Sequence, residues 1–322
     1  MDSTAEASNP AETAERSAAQ PDIHPDDFIF QYHLTSSWCT ERQQAVDFYI
    51  MDGERSANQL SELIRKHYGE TAGKLSILEF ASGYGCVSRH LKNFADYRVV
   101  SCDIHPQAVQ FLREKIEVEC ILSNSDPEKL AAGEQFDVVF ALSFFSHMPP
   151  ATWGKWLRKL FTVVSDGGLL IFTSHGRNGW KAVNKPMLET EGFWFSPISE
   201  QKDIPTEEYG TMIVSPYYVF EQLKQAEIAS PIFFQEALWW GTQDTYIVRK
   251  PHLDDRPAHK RPPPPEPMAA PIEPQAEPIR WREQEDALRA RIGTLEAEVG
   301  TLRSSRSWRI TAPLRTIGRL VK

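Results

Sequence analysis

The apolar positions of residues 25–250 follow two periodicities in turn, one typical of strands and one typical of helices. Short apolar runs predict strands near residues 75–80, 98–102, 118–122, 136–142 and 168–174. Apolar residues spaced three and four apart between these runs predict helices near 87–94, 106–115 and 153–164. Strands that alternate with helices favour an α/β fold, in which a parallel sheet carries helices on both faces.

Further elements are predicted before and after this alternation. Helical spacing within residues 28–68 predicts N-terminal helices, with apolar positions at Ala45, Phe48, Tyr49, Leu60, Leu63 and Ile64. The sequence Ser165-Asp-Gly-Gly168 predicts a turn before the fifth strand. A helix near 216–226 and apolar runs at 232–238 and 246–248, on either side of Gly241-Thr-Gln-Asp244, predict the last helix and the last two strands.

Both ends of the chain differ in composition from this central part. Residues 1–24 contain too few large apolar side chains to build a core and are predicted to be disordered. Residues 251–280 are rich in proline, which favours an extended linker. Residues 281–322 contain a heptad-like pattern of about three heptads, followed by a basic amphipathic tail that lacks acidic residues. We therefore expect four regions, 1–24, 25–250, 251–280 and 281–322.

Composition narrows the classes of function and partner. The chain of 322 residues has a formal net charge of -9, which argues against a nucleic-acid partner. The cysteines form no Cys-x-x-Cys pair, which argues against a zinc site or a disulfide framework. The sequence begins without a basic and apolar leader and contains no apolar run long enough to span a bilayer, so we expect a cytoplasmic protein.

The first predicted strand, turn and helix indicate a nucleoside-binding site. Gly83 and Gly85 lie in the turn, where the lack of a Cβ lets a ligand approach the backbone. Asp103 ends the next strand and can accept hydrogen bonds from two ribose hydroxyls. A dinucleotide site needs a third glycine, and Glu79 before the turn would repel a pyrophosphate but suits a cationic ligand. An NAD-dependent oxidoreductase and an ordinary strand–turn–helix corner remain alternatives.

This Glu-x-x-x-Gly-x-Gly segment, with an acid ending the next strand, resembles the class I S-adenosylmethionine (SAM)-dependent methyltransferases. The order of predicted elements extends the resemblance over about residues 28–250. It implies a Rossmann-like class I sheet, SAM as cofactor, and an N-terminal lid from which Tyr32, Tyr49 or Arg55 could contact the ligand. Ordinary core or surface positions on these helices are the favoured alternative for the three residues. The expected cofactor contacts are Glu79, Ala81, Gly83, Gly85, Asp103, Ile104, Asp126 and Ser143, with capping of a turn as the alternative for Asp126.

Two histidines are candidates for the chemistry at the methyl group. Transfer to a hydroxyl requires alignment of the two reactants and removal of a proton. His147 follows the fourth predicted strand and is the first candidate for a base, because imidazole titrates near neutral pH. A role as a wall of the pocket has equal weight. His175, after the fifth strand, is the second candidate, and a metal is disfavoured because no carboxylate lies at ligand spacing.

A second resemblance concerns the acceptor. The segment Ser304-Ser-Arg-Ser-Trp-Arg-Ile-Thr-Ala-Pro-Leu-Arg315 resembles a tail found in bacterial enzymes of cell-surface polysaccharide biosynthesis. It implies O-methylation of a saccharide or lipid-linked glycan, and recruitment to a glycan-synthesis complex or to the inner face of the membrane. The alternative for this tail is a solvated basic end of the chain. The heptads could also join copies of the chain. Aromatic side chains that could stack on a sugar, with packing in the core as the more frequent alternative, are Trp194, Tyr217, Tyr218, Trp239 and Trp240. Alternatives are a methyltransferase for another small metabolite and a non-catalytic SAM-binding scaffold.

Overall fold

The computed structural model describes residues 21–69, 73–179, 192–199, 201, 204–229 and 231–252. These belong to one compact unit that spans Met1–Pro257. The predicted linker, coiled coil and basic tail, apart from residues 251–252, lie outside the described residues, and so do residues 1–20 of the predicted N-terminal disorder.

Strands of the described residues form a single sheet. In chain order they are β1 (Leu75–Phe80), β2 (Tyr97–Asp103), β3 (Glu119–Leu122), β4 (Phe136–Ala141), β5 (Val164–His175), β6 (Phe193–Ser196), β7 (Thr211–Val214), β8 (Phe233–Trp239) and β9 (Gln243–Arg249). The order across the sheet is β3-β2-β1-β4-β5, with β1 to β5 parallel. Beyond β5 lies β9, which is antiparallel to it, and then β8. This arrangement confirms the predicted Rossmann-like fold.

The strand order reverses between β1 and β4, since β2 and β3 lie on one side of β1 while β4 and β5 lie on the other. Open α/β sheets bind ligands at such a switch point, beyond the carboxyl ends of the strands. Because β1 to β5 are parallel, their carboxyl ends meet at one edge. Asp103 and His175 end two of these strands, and Ser143 follows a third, so all three lie at that edge.

Two features of the sheet differ from the sequence predictions. The turn predicted at residues 165–168 is part of β5, because Val164 already pairs with Phe136 and the extra residues form a bulge before Leu169 pairs with Val138. Gly167 supplies the positive φ of 80° that this bulge requires. A short hairpin, β6 and β7, was not predicted and joins β5 only at its carboxyl end, through His175 and Ile213.

Six α-helices that lie wholly within the described residues surround the sheet. They are α1 (Phe28–Thr35), α2 (Arg42–Tyr68), α3 (Ser88–Leu91), α4 (Pro106–Phe111), α5 (Pro150–Thr162) and α6 (Pro216–Gln225). The helix predicted at 87–94 is shorter than expected, whereas α4 continues as a π turn over Leu112–Ile116. The helix predicted at 153–164 begins three residues earlier, with Pro150 in its first turn. None of the described helices is long and apolar enough to cross a membrane.

The N-terminal helices pack directly on the turn that follows β1. A Cβ on Gly53 of α2 would overlap the main-chain oxygen of Cys86 in that turn, so only glycine allows the helix this close. The Cys86 thiol donates to the main-chain oxygen of Tyr49 at 3.4 Å. Helix α1 is capped by Asp27, whose side chain accepts from the amides of Ile29 and Phe30. The predicted N-terminal lid consists of Asp27 with α1 and α2, and is called the N-terminal cover below. It contacts the turn directly through the backbone at Gly53.

Candidate active site

The turn between β1 and α3 presents backbone to an open cavity. Ala81, Gly83 and Gly85 all have positive φ angles. A Cβ on Gly83 would meet no atom within 4 Å, so there is open space beside this residue. A Cβ on Gly85 would instead lie 2.7 Å from Leu112 Cδ2. The two glycines therefore differ in role, because Gly83 leaves room for a ligand and Gly85 allows the turn to pack on the π turn.

Asp103 lies beside Gly83 at the end of β2. The residue is 5% exposed, and its Oδ2 accepts from the Gly83 amide at 2.8 Å. Its Oδ1 accepts from the His105 amide at 3.0 Å and lies 2.9 Å from the His105 Nδ1. A carboxylate offers about four acceptor positions, so Asp103 can accept further bonds from a ribose diol. The acid is thus oriented before a ligand arrives.

Glu79 occupies a different environment, behind the turn rather than along the cavity. It is 3% exposed and accepts a hydrogen bond from the Ser88 hydroxyl, which also lies 2.8 Å from the Ser101 hydroxyl. Burial raises the pKa of Glu79 to about 8, with a smaller contribution from the Asp103 charge, while the bond from Ser88 opposes the shift. At neutral pH the side chain is therefore largely protonated in this structure.

A cavity of about 1330 Å³ lies at the carboxyl edge of the sheet. Most of the predicted site residues line it, namely Ala81, Gly83, Asp103, Ile104, Asp126, Ser143, His147 and His175. Glu79 and Gly85 lie outside this lining. Pockets for one drug-sized ligand occupy roughly 300–1,000 Å³, so the cavity has room for a nucleoside cofactor and an acceptor together.

Asp126 and Ser143 lie at two loops beyond the sheet. Asp126 caps a short turn by accepting from the Glu128 amide, and this bond, more than the nearby Lys129, lowers the pKa of its carboxyl. It also lines the cavity, so capping and ligand contact are compatible. The Ser143 amide donates to Thr173 Oγ1 at 2.8 Å, and its hydroxyl accepts from Gln243 at 2.7 Å. These bonds join the carboxyl ends of β4 and β5 to β9.

The two predicted base candidates are neighbours on the cavity wall. Their ring centres lie 6.3 Å apart. His147 is stacked on Tyr209 at 4.5 Å, and its Nδ1 lies 2.9 Å from the Gly210 carbonyl oxygen. Because a carbonyl oxygen can only accept, this contact places the proton of a neutral imidazole on Nδ1 and the lone pair on Nε2. His147 therefore has a defined tautomer, as an acid–base group needs.

Several polar residues of the N-terminal cover were not predicted as site residues. Asp27, His33 and Asp52 line the cavity together with Arg55, which was named only as a lid contact. His33 is buried, and its Nε2 lies 3.3 Å from Asp52 Oδ2. A signal was present in the spacing, since Phe48, Met51, Asp52 and Arg55 recur at helical spacing and all line the cavity. Tyr49 instead lies outside the lining, buried and hydrogen-bonded to Asp27.

Exposed aromatic side chains line the cavity and are taken to mark its mouth. Most of them differ from the side chains that the sequence suggested for stacking on a sugar. Of the large apolar side chains exposed in the described residues, four line the cavity: Ile29, Tyr32, Trp38 and Trp240. Tyr32 and Trp38 contact each other edge to face, with ring centres 5.7 Å apart. Trp239 and Tyr218 are buried in the core, so the suggestion that they stack on a sugar is wrong. Tyr217 is exposed and Trp194 partly buried, both outside the cavity lining.

The residues present fit SAM. The open space beside Gly83 and the oriented Asp103 carboxylate match an adenosine that lies against the turn, and the cavity is large enough for the rest of the molecule. Within the described part of the chain, no group of three or more His, Cys, Asp and Glu side chains is arranged to hold a metal ion.

Comparison with known proteins supports the same class. Residues 77–168 match the sequence profile of a family described as a methyltransferase domain. Comparison with curated proteins gives no match. This domain match and the β3-β2-β1-β4-β5 strand order support a class I methyltransferase that uses SAM as its cofactor.

Solved structures with similarity to this chain include other methyltransferases. The glycopeptide N-methyltransferase MtfA in complex with SAM is 14% identical, with 62% of this chain and 95% of that chain covered and a TM-score of 0.46. A complex of DhpI with SAM is 21% identical, with coverage of 62% and 87% and a TM-score of 0.43. An O-methyltransferase family protein from Burkholderia thailandensis is 14% identical, with coverage of 62% and 58% and a TM-score of 0.42.

Proposed function

We propose that this protein transfers a methyl group from SAM to a hydroxyl of a saccharide or lipid-linked glycan. The observation that carries the proposal is one cavity lined both by the glycine turn with Asp103 and by the histidine pair. A cofactor held by the first group would have an acceptor beside it, within reach of the second group. The cavity volume accommodates both molecules.

Methyl transfer from SAM is an in-line displacement, and different residues would position the cofactor and remove the proton. Bound SAM would supply an electrophilic methyl group on its sulfonium. Asp103 accepts from the ribose hydroxyls and Gly83 leaves the backbone accessible, which fixes the position of the adenosine. His147, with its lone pair on Nε2, would take the proton of the acceptor hydroxyl as the C–O bond forms and the bond from the methyl carbon to the sulfonium sulfur breaks. His175 is the second candidate for this role.

The choice of a saccharide acceptor has two sources of support. One is the resemblance of the C-terminal segment to tails of polysaccharide biosynthesis enzymes. The other is the set of exposed rings at the cavity mouth, Tyr32, Trp38 and Trp240, because aromatic faces stack on the apolar C–H faces of sugar rings. We propose that the tail brings the enzyme to the glycan-synthesis machinery or to the inner face of the membrane.

Methyl transfer from tritiated SAM tests this function. The full chain is incubated with a panel of soluble oligosaccharides and, separately, with amine and carboxylate metabolites. We expect label on a saccharide hydroxyl, with a product that resists base as an ether does. Label only on amines or carboxylates would contradict the saccharide acceptor, but it would still show that the protein is a methyltransferase. Binding of SAM without transfer to any acceptor class would favour a non-catalytic module.

A further inference from the structure

The charged end of the cofactor lacks the contact that the sequence suggested for it. Glu79 was expected to meet the cationic amino acid of SAM, but it is buried behind the turn, hydrogen-bonded to Ser88, and outside the cavity lining. The high pKa of this side chain also makes it a poor counter-ion at neutral pH. Charged side chains that line the cavity near the turn must therefore be considered instead.

Helix α2 places two such side chains over the turn. The helix crosses the turn at Gly53, whose Cα lies against the main-chain oxygen of Cys86. Asp52 directly precedes Gly53, the residue at this contact point. Arg55 follows on the same helix, three residues after Asp52. Side chains with this spacing are neighbours on one helix face, and both of these line the cavity.

The environments of the two side chains suit a ligand that carries both charges. The Asp52 Oδ2 lies 3.3 Å from the His33 Nε2, and 28% of the Asp52 side chain remains exposed. Arg55 is exposed, and among the described residues no carboxylate lies within 4.0 Å of its guanidinium. Asp52 and Arg55, of opposite charge and on the same helix, thus line the cavity that Gly83 also lines.

We propose that Asp52 and Arg55 form a zwitterion site for the amino-acid end of SAM. Asp52 accepts hydrogen bonds from the ammonium, and Arg55 donates to the carboxylate. Hydrogen bonds in which both partners are charged are stronger than neutral ones, so these contacts add affinity as well as orientation. The inference rests on the proposed function, because it assumes that the cavity binds SAM. It also assigns the cover a direct part in cofactor recognition.

Titration calorimetry on the full chain tests the site with two ligands that share the adenosine. S-adenosylhomocysteine carries the amino-acid end, whereas 5′-methylthioadenosine lacks it. We expect Asp52→Asn and Arg55→Gln each to weaken S-adenosylhomocysteine about tenfold or more and to leave methylthioadenosine unchanged. The matched controls are Asp47→Asn and Arg65→Gln, two exposed residues of α2 outside the cavity lining, which should change neither affinity.

Further ligands assign the two roles separately. S-adenosylhomocysteine without its carboxylate should bind wild type and Arg55→Gln with equal affinity, but should still bind Asp52→Asn more weakly. S-adenosylhomocysteine without its amino group should bind wild type and Asp52→Asn equally, but Arg55→Gln more weakly. Unchanged affinity for S-adenosylhomocysteine in both variants, or equal loss for both ligands, would overturn the zwitterion site. If the wild type binds neither ligand, the proposed function itself fails, and this outcome is distinct from a failure of the two variants alone.

Discussion

At the scale of single residues, Asp103 and Glu79 differ in their surroundings although both are acids near strand ends. Asp103 lines the cavity and is oriented by the amides of Gly83 and His105. Glu79 lies behind the turn and is bonded to Ser88. The sequence places both near the turn, but it does not reveal which side chain the backbone turns towards the cavity. That difference determines which acid can contact a ligand.

Replacement of Asp103 by Ala should weaken SAM binding by about 1–3 kcal/mol, because hydrogen bonds to the ribose diol are lost. The matched control is Asp96→Ala, at the opposite end of β2 and exposed, which should leave affinity unchanged. Calorimetric titration of SAM measures both. Equal affinity of wild type and Asp103→Ala would exclude the assigned ribose site.

Replacement of His147 by Ala should lower turnover by about a hundredfold or more, as expected when a general base is removed. The affinity for SAM should stay the same, since the histidine is assigned to the acceptor. The rate of methyl transfer at saturating acceptor checks this. A loss of less than tenfold would show that His147 only lines the pocket, and His175 would then be the candidate for the general base.

Glu79 should make stability depend on pH in a defined direction. Its pKa rises from an ordinary value of 4.5 to about 8 in the folded protein, because burial disfavours the charged form. Between these values the folded state holds a proton that the unfolded state has lost. The free energy of unfolding should therefore fall as pH rises through this window, by at most about 1.4 kcal/mol per pH unit.

Urea unfolding of wild type and Glu79→Gln, at several pH values between 5 and 8 and without ligand, tests this contribution. The variant should lose less stability than wild type as pH rises. Asp244, whose pKa burial raises to about 6, contributes in the same direction in both proteins and cancels in the difference. Identical pH dependence of the two proteins would show that Glu79 is ionised in the folded state.

At the scale of elements, the alternation of strands and helices was predictable because a buried parallel strand and an amphipathic helix leave different apolar periods. Strands β1 to β5 were all found near their predicted positions. The bulge in β5 was mistaken for a turn, since Gly167 and Gly168 carry the same local signal in both structures. The β6 and β7 hairpin was missed because its strands have only four residues each, too few to show a period.

The contact between α2 and the turn should be sensitive to a single methyl group. In Gly53→Ala the new Cβ would overlap a main-chain oxygen, which cannot move aside. Overpacking of this kind costs about 1–3 kcal/mol, more than the roughly 1 kcal/mol that Ala gains over Gly in a helix. Gly154→Ala in α5 is the control, because there the neighbour is the flexible end of Gln222.

Thermal and urea unfolding of these two variants checks the contact. We expect Gly53→Ala to be destabilised and to bind SAM more weakly, because the cover moves away from the turn. Gly154→Ala should be as stable as wild type or slightly more stable. A Gly53→Ala protein with unchanged stability and affinity would show that α2 does not need this close approach.

At the scale of the whole molecule, the shared cavity could not be predicted from one sequence. The strand ends that carry Asp103, Ser143 and His175 follow from a parallel sheet, so their proximity was expected. The part played by α1 and α2 was expected only from the resemblance to methyltransferases, because the close approach at Gly53 leaves no local pattern in the sequence. The identity of the acceptor stays a prediction.

The C-terminal segment is predicted to act as a tether rather than as part of the catalytic unit. Truncation after Pro257, where the compact unit ends, should leave the melting temperature and SAM affinity nearly unchanged. Sedimentation with anionic vesicles or with the glycan-synthesis complex should be lost. A truncated protein that unfolds, or one that still sediments with both, would contradict this role.

The central claim is that the cavity beside Gly83 and Asp103 is a SAM site, and titration calorimetry tests it most directly. SAM, S-adenosylhomocysteine and NAD are each titrated into the full wild-type chain. The account predicts micromolar binding of SAM and S-adenosylhomocysteine at one site per chain, and no heat from NAD. Binding of NAD with no response to SAM would contradict it and favour an oxidoreductase.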